Sequence, residues 1–400
     1  MPTPIRSTLS AIAFAAGLLL AAPAQADTIV DWNQRANQVV VDAKLGTPPA
    51  IRVMALVQAA TLDAVQAALQ MPEAAAVEAA VAAANRKTLL ALLPAQQPAI
   101  DAAYDAAIAA LPATPQREAG IAAGEQAAAG VLAARAGDMP TGPDTYRPQA
   151  VPGRWVPTAA AAATQWPQRK PWLLVRADRF RPGPPPTLAS AAWVADYNEV
   201  LRLGARTSTE RSAEQTTAAR FWEYSLPPIY FGVVESVALA PGRDAARNAR
   251  LYAAAAVAMD DAMIAVFDAK YRYGFWRPVT AIRNGDLDRH PATPRDASWN
   301  SLIESPMHPE YPSGHAVLAG AVGAVLRADV GAQPPLPLAT RSPTAGGAAR
   351  QWTTVDDFVR EVGEARIWAG IHFRSAIDAG WTLGDRVGQL AVTRLLASEP

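Results

Sequence analysis

Between residues 138 and 187 lie 11 of the chain's 35 prolines, the last three in a row as Pro184-Pro185-Pro186. Proline fixes φ, lacks an amide hydrogen and clashes with the preceding helical turn, so this stretch cannot be regular helix or central strand. It reads as an extended crossover that divides the chain. Alanine-rich segments dominate on either side. From about 35 to 135 the pattern is helical, with Met54, Leu56, Val57, Leu62 and Val65 at mixed spacings of 3 and 4. Pro48-Pro49, Pro72, Pro94, Pro98 and the Pro112–Pro115 segment punctuate these helices. Helical periods return at 188–204, 209–223, 243–271, 314–328, 353–371 and 375–396, with polar loops at 284–312 and 330–350. No alternating strand run and no tandem repeat is visible. The expected fold is all-α: two packed helical bundles, 27–137 and 188–400, joined by the proline-rich crossover 138–187.

The first 26 residues read as an address. Arg6 is the only charge before Asp27, Ala11 to Ala22 is an apolar run of 12 residues, and Ala24-Gln25-Ala26 supplies a small-x-small cleavage pattern. That is the form of a secretory signal peptide, and the run is shorter than the roughly 20 residues that span a bilayer. The mature chain 27–400 is expected to be periplasmic or secreted, with no membrane segment after cleavage.

Composition narrows the chemistry. Lys plus Arg and Asp plus Glu are 36 each, so no bulk field draws the chain to nucleic acid. There is no cysteine, which removes disulfides, thiolate nucleophiles and Cys-ligated metals. The four histidines are His290, His308, His315 and His372. Asp63, in the apolar stretch LVQAATLDAV, is expected to be a buried, hydrogen-bonded structural carboxylate.

The second half holds the informative constellation. Lys270 precedes Arg277-Pro278 by seven, Pro312-Ser313-Gly314-His315 follows, and Arg366 precedes His372 by six. Singly these are ordinary. Together, three cations, a Ser hydroxyl with a Gly at a helix start, and two histidines form a site for a tetrahedral oxyanion. Arg offers forked donors and Lys a point charge, and the helix start offers open N–H groups. One histidine can attack or ligate the central atom while the other moves protons.

This order and spacing resemble the phosphatidic-acid-phosphatase-type-2 and vanadium haloperoxidase superfamily, whose signature is Lys-x6-Arg-Pro, Pro-Ser-Gly-His and Ser-Arg-x5-His-x3-Asp. The chain shows KYRYGFWRP at 270–278, PSGH at 312–315 and ARIWAGIHFRSA at 365–376. The ADTIVDWN start after residue 25, FRPGPPPTLAS, ADYNEV and FWRPVTAIR look like the soluble bacterial haloperoxidase-like branch. The resemblance implies an active site in the C-terminal bundle that takes vanadate as cofactor and no haem. It implies that Lys270, Arg277, Arg366, Ser313 and the Gly314 N–H bind vanadate or phosphate oxygens. His372 is implied as the apical ligand of vanadium, or as the nucleophile of a phosphatase, and His315 as the acid–base residue. In a haloperoxidase Lys270 also polarises peroxide.

Two positions depart from the pattern. Ala365 replaces the Ser and Ala376 the Asp that orients the family's histidine. Asp378, six past His372, projects to another face of a helix. Another acceptor, such as a backbone carbonyl, has to fix the His372 tautomer. Without one the site is weakened by about 10–100-fold. His308, five before Ser313, resembles the second active-site histidine of algal bromoperoxidases and favours bromide; a plain loop histidine is the competing reading. His290 reads as a surface residue, and Phe275 and Trp276 as core rather than pocket residues. The leading expectation is an exported vanadium-dependent haloperoxidase-like enzyme that oxidises halide with hydrogen peroxide. The runner-up is a soluble acid phosphatase acting on a phosphate monoester through a phosphohistidine, and the third reading is a non-enzymatic oxyanion binder.

Overall fold

The structure, a computed structural model, describes residues 27–71, 74–138 and 144–397; the segment read as an export signal lies outside them. Among the described residues are thirteen α-helices and one small hairpin. Before the crossover come α1 (Thr28–Asp42), α2 (Thr47–Ala68), α3 (Ala74–Leu92), α4 (Gln97–Ala109) and α5 (Pro115–Ala134). After it come α6 (Ala191–Leu203), α7 (Ala213–Phe221), α8 (Pro227–Ala238), α9 (Ala245–Tyr273), α10 (Pro278–Arg283) and α11 (Gly314–Val330). The hairpin β1 (Leu338–Ser342) and β2 (Ala348–Trp352) precedes α12 (Val355–Trp368) and α13 (Arg374–Ala391).

The longest helix, α9, is the spine. Asp244 caps its start by accepting from the Arg247 N–H at 2.7 Å. Gly274 ends it in the left-handed region at φ 55°, where its N–H reaches the Lys270 carbonyl at 2.8 Å. Glycine takes that conformation without the Cβ clash of other residues. α9 packs against α2 on one side and against α11 and α13 on another. One apolar cluster therefore runs from Ile29 and Val57 through Val257's neighbours Ala256 and Ala258 to Val322 and Val387.

The crossover contains only a single helical turn, Trp166–Gln168, among its described residues. Backbone donors that a proline-rich chain cannot pair in a ladder are taken up by α9. The Asp261 carboxylate accepts from the N–H groups of Trp172, Leu173 and Leu174 at 2.6–2.9 Å. Asp260 accepts from the Trp172 indole at 2.7 Å and from buried Arg52 of α2 at 2.5 Å. Arg181 holds Asp268 through two bonds at 2.6 and 2.8 Å. The crossover is thus fastened along one face of α9 and delivered to its C-terminal end.

Three expectations need correction. The hairpin falls in a region read as loop, paired from Leu338↔Trp352 to Ser342↔Ala348. Its inward residues include Thr340 and Ser342, both buried, so the alternation carries no apolar signal. Helix α8 was not anticipated because it is buried nearly all round, from Ile229 and Tyr230 to Val237 and Ala238, and so shows no amphipathic period. Asp63 is exposed on α2, whose buried polar residues are Arg52, Gln58 and Thr61. α2 is long and apolar enough to cross a membrane, but most of its apolar window is buried inside the fold.

Close helix contact depends on small residues. A Cβ at Gly124 of α5 would sit 2.1 Å from the Ala80 carbonyl of α3, while one at Gly130 would meet nothing within 4 Å. Gly124→Ala is expected to lower unfolding stability by about 1–3 kcal/mol, since backbone cannot yield. Gly130→Ala should raise it by about 0.4–1 kcal/mol. Urea unfolding of the two variants checks both signs.

Candidate functional site

Three segments meet at the end of α9. The first is the turn from Lys270 to Arg277, held by the crossover through Trp155 N–H to Gly274 O at 2.8 Å. The second is the loop His308–Ser313 leading into α11, and the third the short link from α12 to α13 that carries His372. Lys270 is fully buried, and Arg277 and Arg366 are each 1% exposed.

Their donors largely point at backbone oxygens of the same three segments. Lys270 Nζ donates to the carbonyls of Pro309 and Glu310, both at 2.9 Å. Arg277 donates through Nε to His308 O at 3.1 Å and through Nη1 to Ile371 O at 2.8 Å. Its Nη1 also lies 3.3 Å from His372 Nε2, and its Nη2 3.0 Å from His308 Nδ1. Arg366 donates through Nη2 to Ala219 O at 3.2 Å, while its buried Nε has no partner among the described residues. Burial pushes Lys270 well below its ordinary pKa and brings both arginines down to about 10.

The carboxylate that sequence reasoning missed is Glu310. It is fully buried; its Oε1 accepts from His372 Nδ1 at 2.8 Å and from the Phe373 N–H at 2.9 Å. The tautomer is set from the other side of the ring: a guanidinium can only donate, so with Arg277 Nη1 3.3 Å away Nε2 keeps its lone pair and Nδ1 carries the hydrogen toward Glu310. Burial raises the Glu310 carboxyl to about 8, against the pull of Arg277. A proton on Oε2 would leave Oε1 an acceptor. The acceptor expected for His372 is therefore a side chain from the loop before Ser313, not a backbone carbonyl. Ala376 is fully buried, and its carbonyl accepts from the Ser313 N–H at 2.9 Å. Asp378 is exposed. The signal was present in MHPEYPSGH: a carboxylate three before Ser313, in a segment already under scrutiny for its histidine.

Ser313 caps α11, its Oγ facing the Ala316 N–H at 3.5 Å, so its hydroxyl hydrogen remains to be donated. Gly314 opens the helix, and nothing lies within 4 Å of where its Cβ would stand. Its N–H and that of His315 belong to the open, positive end of the helix dipole. His315 is engaged by the Tyr224 backbone, and its Nε2 has no partner among the described residues. Burial and the cations hold His315, His372 and His308 well below the usual histidine pKa.

Above this floor is a cavity of about 490 Å³. His308, Gly314, His315 and His372 line its base. Its walls come from the N-terminal half (Gly46 to Pro49), the crossover (Ala162, Ala163, Trp166) and α9 (Met263, Phe267). The site is thus not confined to the C-terminal half: that half supplies the polar floor and the rest of the chain the walls. His308 is in the cavity, edge-on to Phe267 with ring centroids 5.3 Å apart. His290 stays in its own loop, where Nδ1 accepts from the Ala292 N–H at 3.2 Å. Phe275 and Trp276 pack with Trp193 in the core.

The donor set fits an oxyanion. Lys270 and Arg277 are buried beside Glu310, and Arg366 is buried on the His315 side; leaving buried charge uncompensated costs several kcal/mol. Among the described residues no three His, Asp or Glu side chains are placed to hold a metal cation. A tetrahedral anion bound through its oxygens, with one histidine nitrogen toward its centre, meets both conditions. Vanadate and phosphate share that shape and charge.

Comparison with known proteins points the same way. A family model described as the VCPO second helical-bundle domain matches residues 250–398. Vanadium chloroperoxidase of Curvularia inaequalis is 29% identical over 185 residues, 38% of this chain and 30% of that protein. Less than a third of that relative's length is therefore represented. A crystal structure of a bacterial vanadium-dependent iodoperoxidase superposes with a TM-score of 0.77 at 25% identity, covering 92% of this chain and 96% of that one. An apo-type bacterial vanadium-dependent chloroperoxidase gives 0.71 at 19% identity, covering 86% and 92%, which shows the shared fold.

If Glu310 positions His372, Glu310→Ala should weaken phosphate binding by about 10–100-fold, the usual cost of losing such a partner. Calorimetric titration with phosphate measures this. Nitrogen-15 NMR of His372 should show Nδ1 protonated in the wild type and a mixture of tautomers in the variant.

Proposed function

We propose that this chain, which belongs to the vanadium haloperoxidase family, is a vanadate-dependent enzyme that oxidises halide with hydrogen peroxide. The observation that carries the reading is the convergence of three buried cations, a helix start and a tautomer-fixed histidine beneath one cavity. Lys270, Arg277, Arg366, Ser313 and the Gly314 N–H would hold the vanadate oxygens, with His372 Nε2 as the ligand. Bound vanadate supplies Lewis acidity toward peroxide.

The chain's own groups do the rest. Glu310 keeps the Nε2 lone pair of His372 facing the anion. The cations, themselves buried, offset its negative charge from positions of low dielectric. His315, neutral and with Nε2 unpartnered among the described residues, takes the proton from incoming peroxide and returns it to the leaving oxygen. Lys270 remains the residue that would draw electron density from peroxide.

Two finer points belong to the same proposal. Bromide is the favoured halide, on the strength of His308 in the cavity and bound to Arg277. Export to the periplasm or medium rests on the form of residues 1–26 alone. Glu310 also favours a second reading, because an oriented histidine is what phosphomonoester hydrolysis through a phosphohistidine requires.

Purified protein should oxidise bromide when given vanadate and peroxide, and vanadate should suppress any phosphomonoesterase activity. Hydrolysis of a phosphomonoester without bromide oxidation selects the second reading. His372→Ala is expected to abolish both activities. His315→Ala should still bind the anion and lose about 10²–10⁴-fold in turnover. His308→Phe should shift the pH optimum and lower the bromide-to-chloride ratio; no change in either removes the support for bromide.

A further inference from the structure

We infer that a second pocket, built from the first half of α2, the ends of α3 and α5 and the crossover, binds a carboxylate with an apolar body. The pocket is distinct from the anion site, and the inference does not rest on the peroxidase reading.

Its volume is about 330 Å³, within the range that holds small organic ligands. The lining combines two chemistries. Leu45, Leu56, Leu92 and Leu93 are apolar. Arg52, Arg135 and Arg169 line the same pocket, with Asp138 as the one carboxylate among the described lining residues. A purely apolar ligand would leave the guanidiniums without a counter-charge, and an inorganic anion would leave the leucines against water. A molecule with an anionic head and an apolar body answers both.

The nearby acids are already committed elsewhere. Arg52 is 4% exposed; it pairs with Asp138 and donates to Asp260 at 2.5 Å. Asp261 is occupied by the backbone N–H groups of Trp172, Leu173 and Leu174. Arg135, the residue after α5, has no carboxylate within hydrogen-bond reach among the described residues; Asp138 is 3.9 Å away. Its Nη1 donates to the carbonyls of Lys170 and Pro171 at 3.2 and 2.9 Å. Its Nε and Nη2 have no hydrogen-bond partner among the described residues, and neither is shut off from solvent. Burial, and then the Arg52 charge, hold Arg135 and Arg169 below the ordinary guanidinium pKa.

Two tryptophans fix the guanidinium planes. The Arg135 Cζ lies 3.8 Å from the Trp172 ring centroid, and the Arg169 Cζ 4.1 Å from that of Trp166. A guanidinium stacked by its face keeps its in-plane N–H groups for an anion, and that forked edge matches the two oxygens of a carboxylate. Pro49 is the one described residue that lines both this pocket and the cavity above the anion site. The two pockets therefore adjoin without sharing a polar side chain.

The test titrates octanoate and octanol calorimetrically into protein saturated with phosphate, which keeps the anion site filled. Wild type should bind one equivalent of octanoate with Kd below about 1 mM, and octanol at least about tenfold more weakly. Arg135→Gln should weaken octanoate by about tenfold, and Arg135→Lys, which keeps the charge, by less. Arg169→Gln should act in the same direction and stands in for Arg135→Gln if that variant does not fold. Leu45→Trp, which fills the apolar lining, should weaken octanoate by more than about tenfold. Absence of saturable octanoate binding overturns the inference, as does octanol binding as tightly as octanoate. Octanoate binding only when phosphate is left out also overturns it, because the ligand is then in the anion site.

Discussion

Burying Lys270 and Arg277 beside Glu310, with Arg366 buried on the His315 side, sets the terms for everything near the end of α9. Charged groups leave water only when something in the protein or its ligand replaces the solvation. Here backbone carbonyls of Pro309, Glu310, Ile371 and Ala219 supply part of it. The first three bind the turn after α9, the loop before α11 and the link before α13 into one unit, and the last ties α12 to α7. Together they compensate the cations only in part, and burial holds all three below their ordinary pKa. An oxyanion is the complement that this arrangement lacks.

Within that field Glu310 has two tasks. Its ionised form offsets part of the charge, and in either form it ties His372 to the start of α13 by accepting from both the ring and the Phe373 N–H. Asp196 of α6 does similar work two residues on, accepting from the Ser375 N–H at 3.3 Å. Two carboxylates thus sit at the positive end of α13, where the helix dipole favours them. A carboxylate on a preceding loop reaches the same nitrogen that an acid one helical turn after the histidine serves in the family pattern. Glu310 thus supplies the acceptor that Ala376 cannot, and the case for a merely anion-binding protein loses half its motive.

Much of this was legible in the sequence, for physical reasons that can be named. Proline density marked 138–187 as non-helical because the constraint is covalent. The long helix read at 243–271 and those read at 314–328 and 353–371 were legible because apolar periods are local. Glu310 was not singled out because its task depends on which nitrogen of His372 faces it, a tertiary fact. α8 escaped because a helix buried on all sides has no period, and the hairpin because its inward residues are Thr340 and Ser342. Asp63 was misjudged because an apolar neighbourhood in sequence does not say which face of a helix a residue occupies. The cavity walls were out of reach, being built from Gly46–Pro49, the crossover and α9, three segments far apart in the chain.

The central claim is that the buried charge is completed by one tetrahedral anion in a single site. Competition calorimetry with orthovanadate and phosphate tests it most directly. The account predicts one equivalent of vanadate bound per chain, displaced by phosphate, with affinity lost when Arg366 is replaced by a neutral residue of similar size. Absence of saturable vanadate binding, or vanadate and phosphate binding independently of each other, would contradict it.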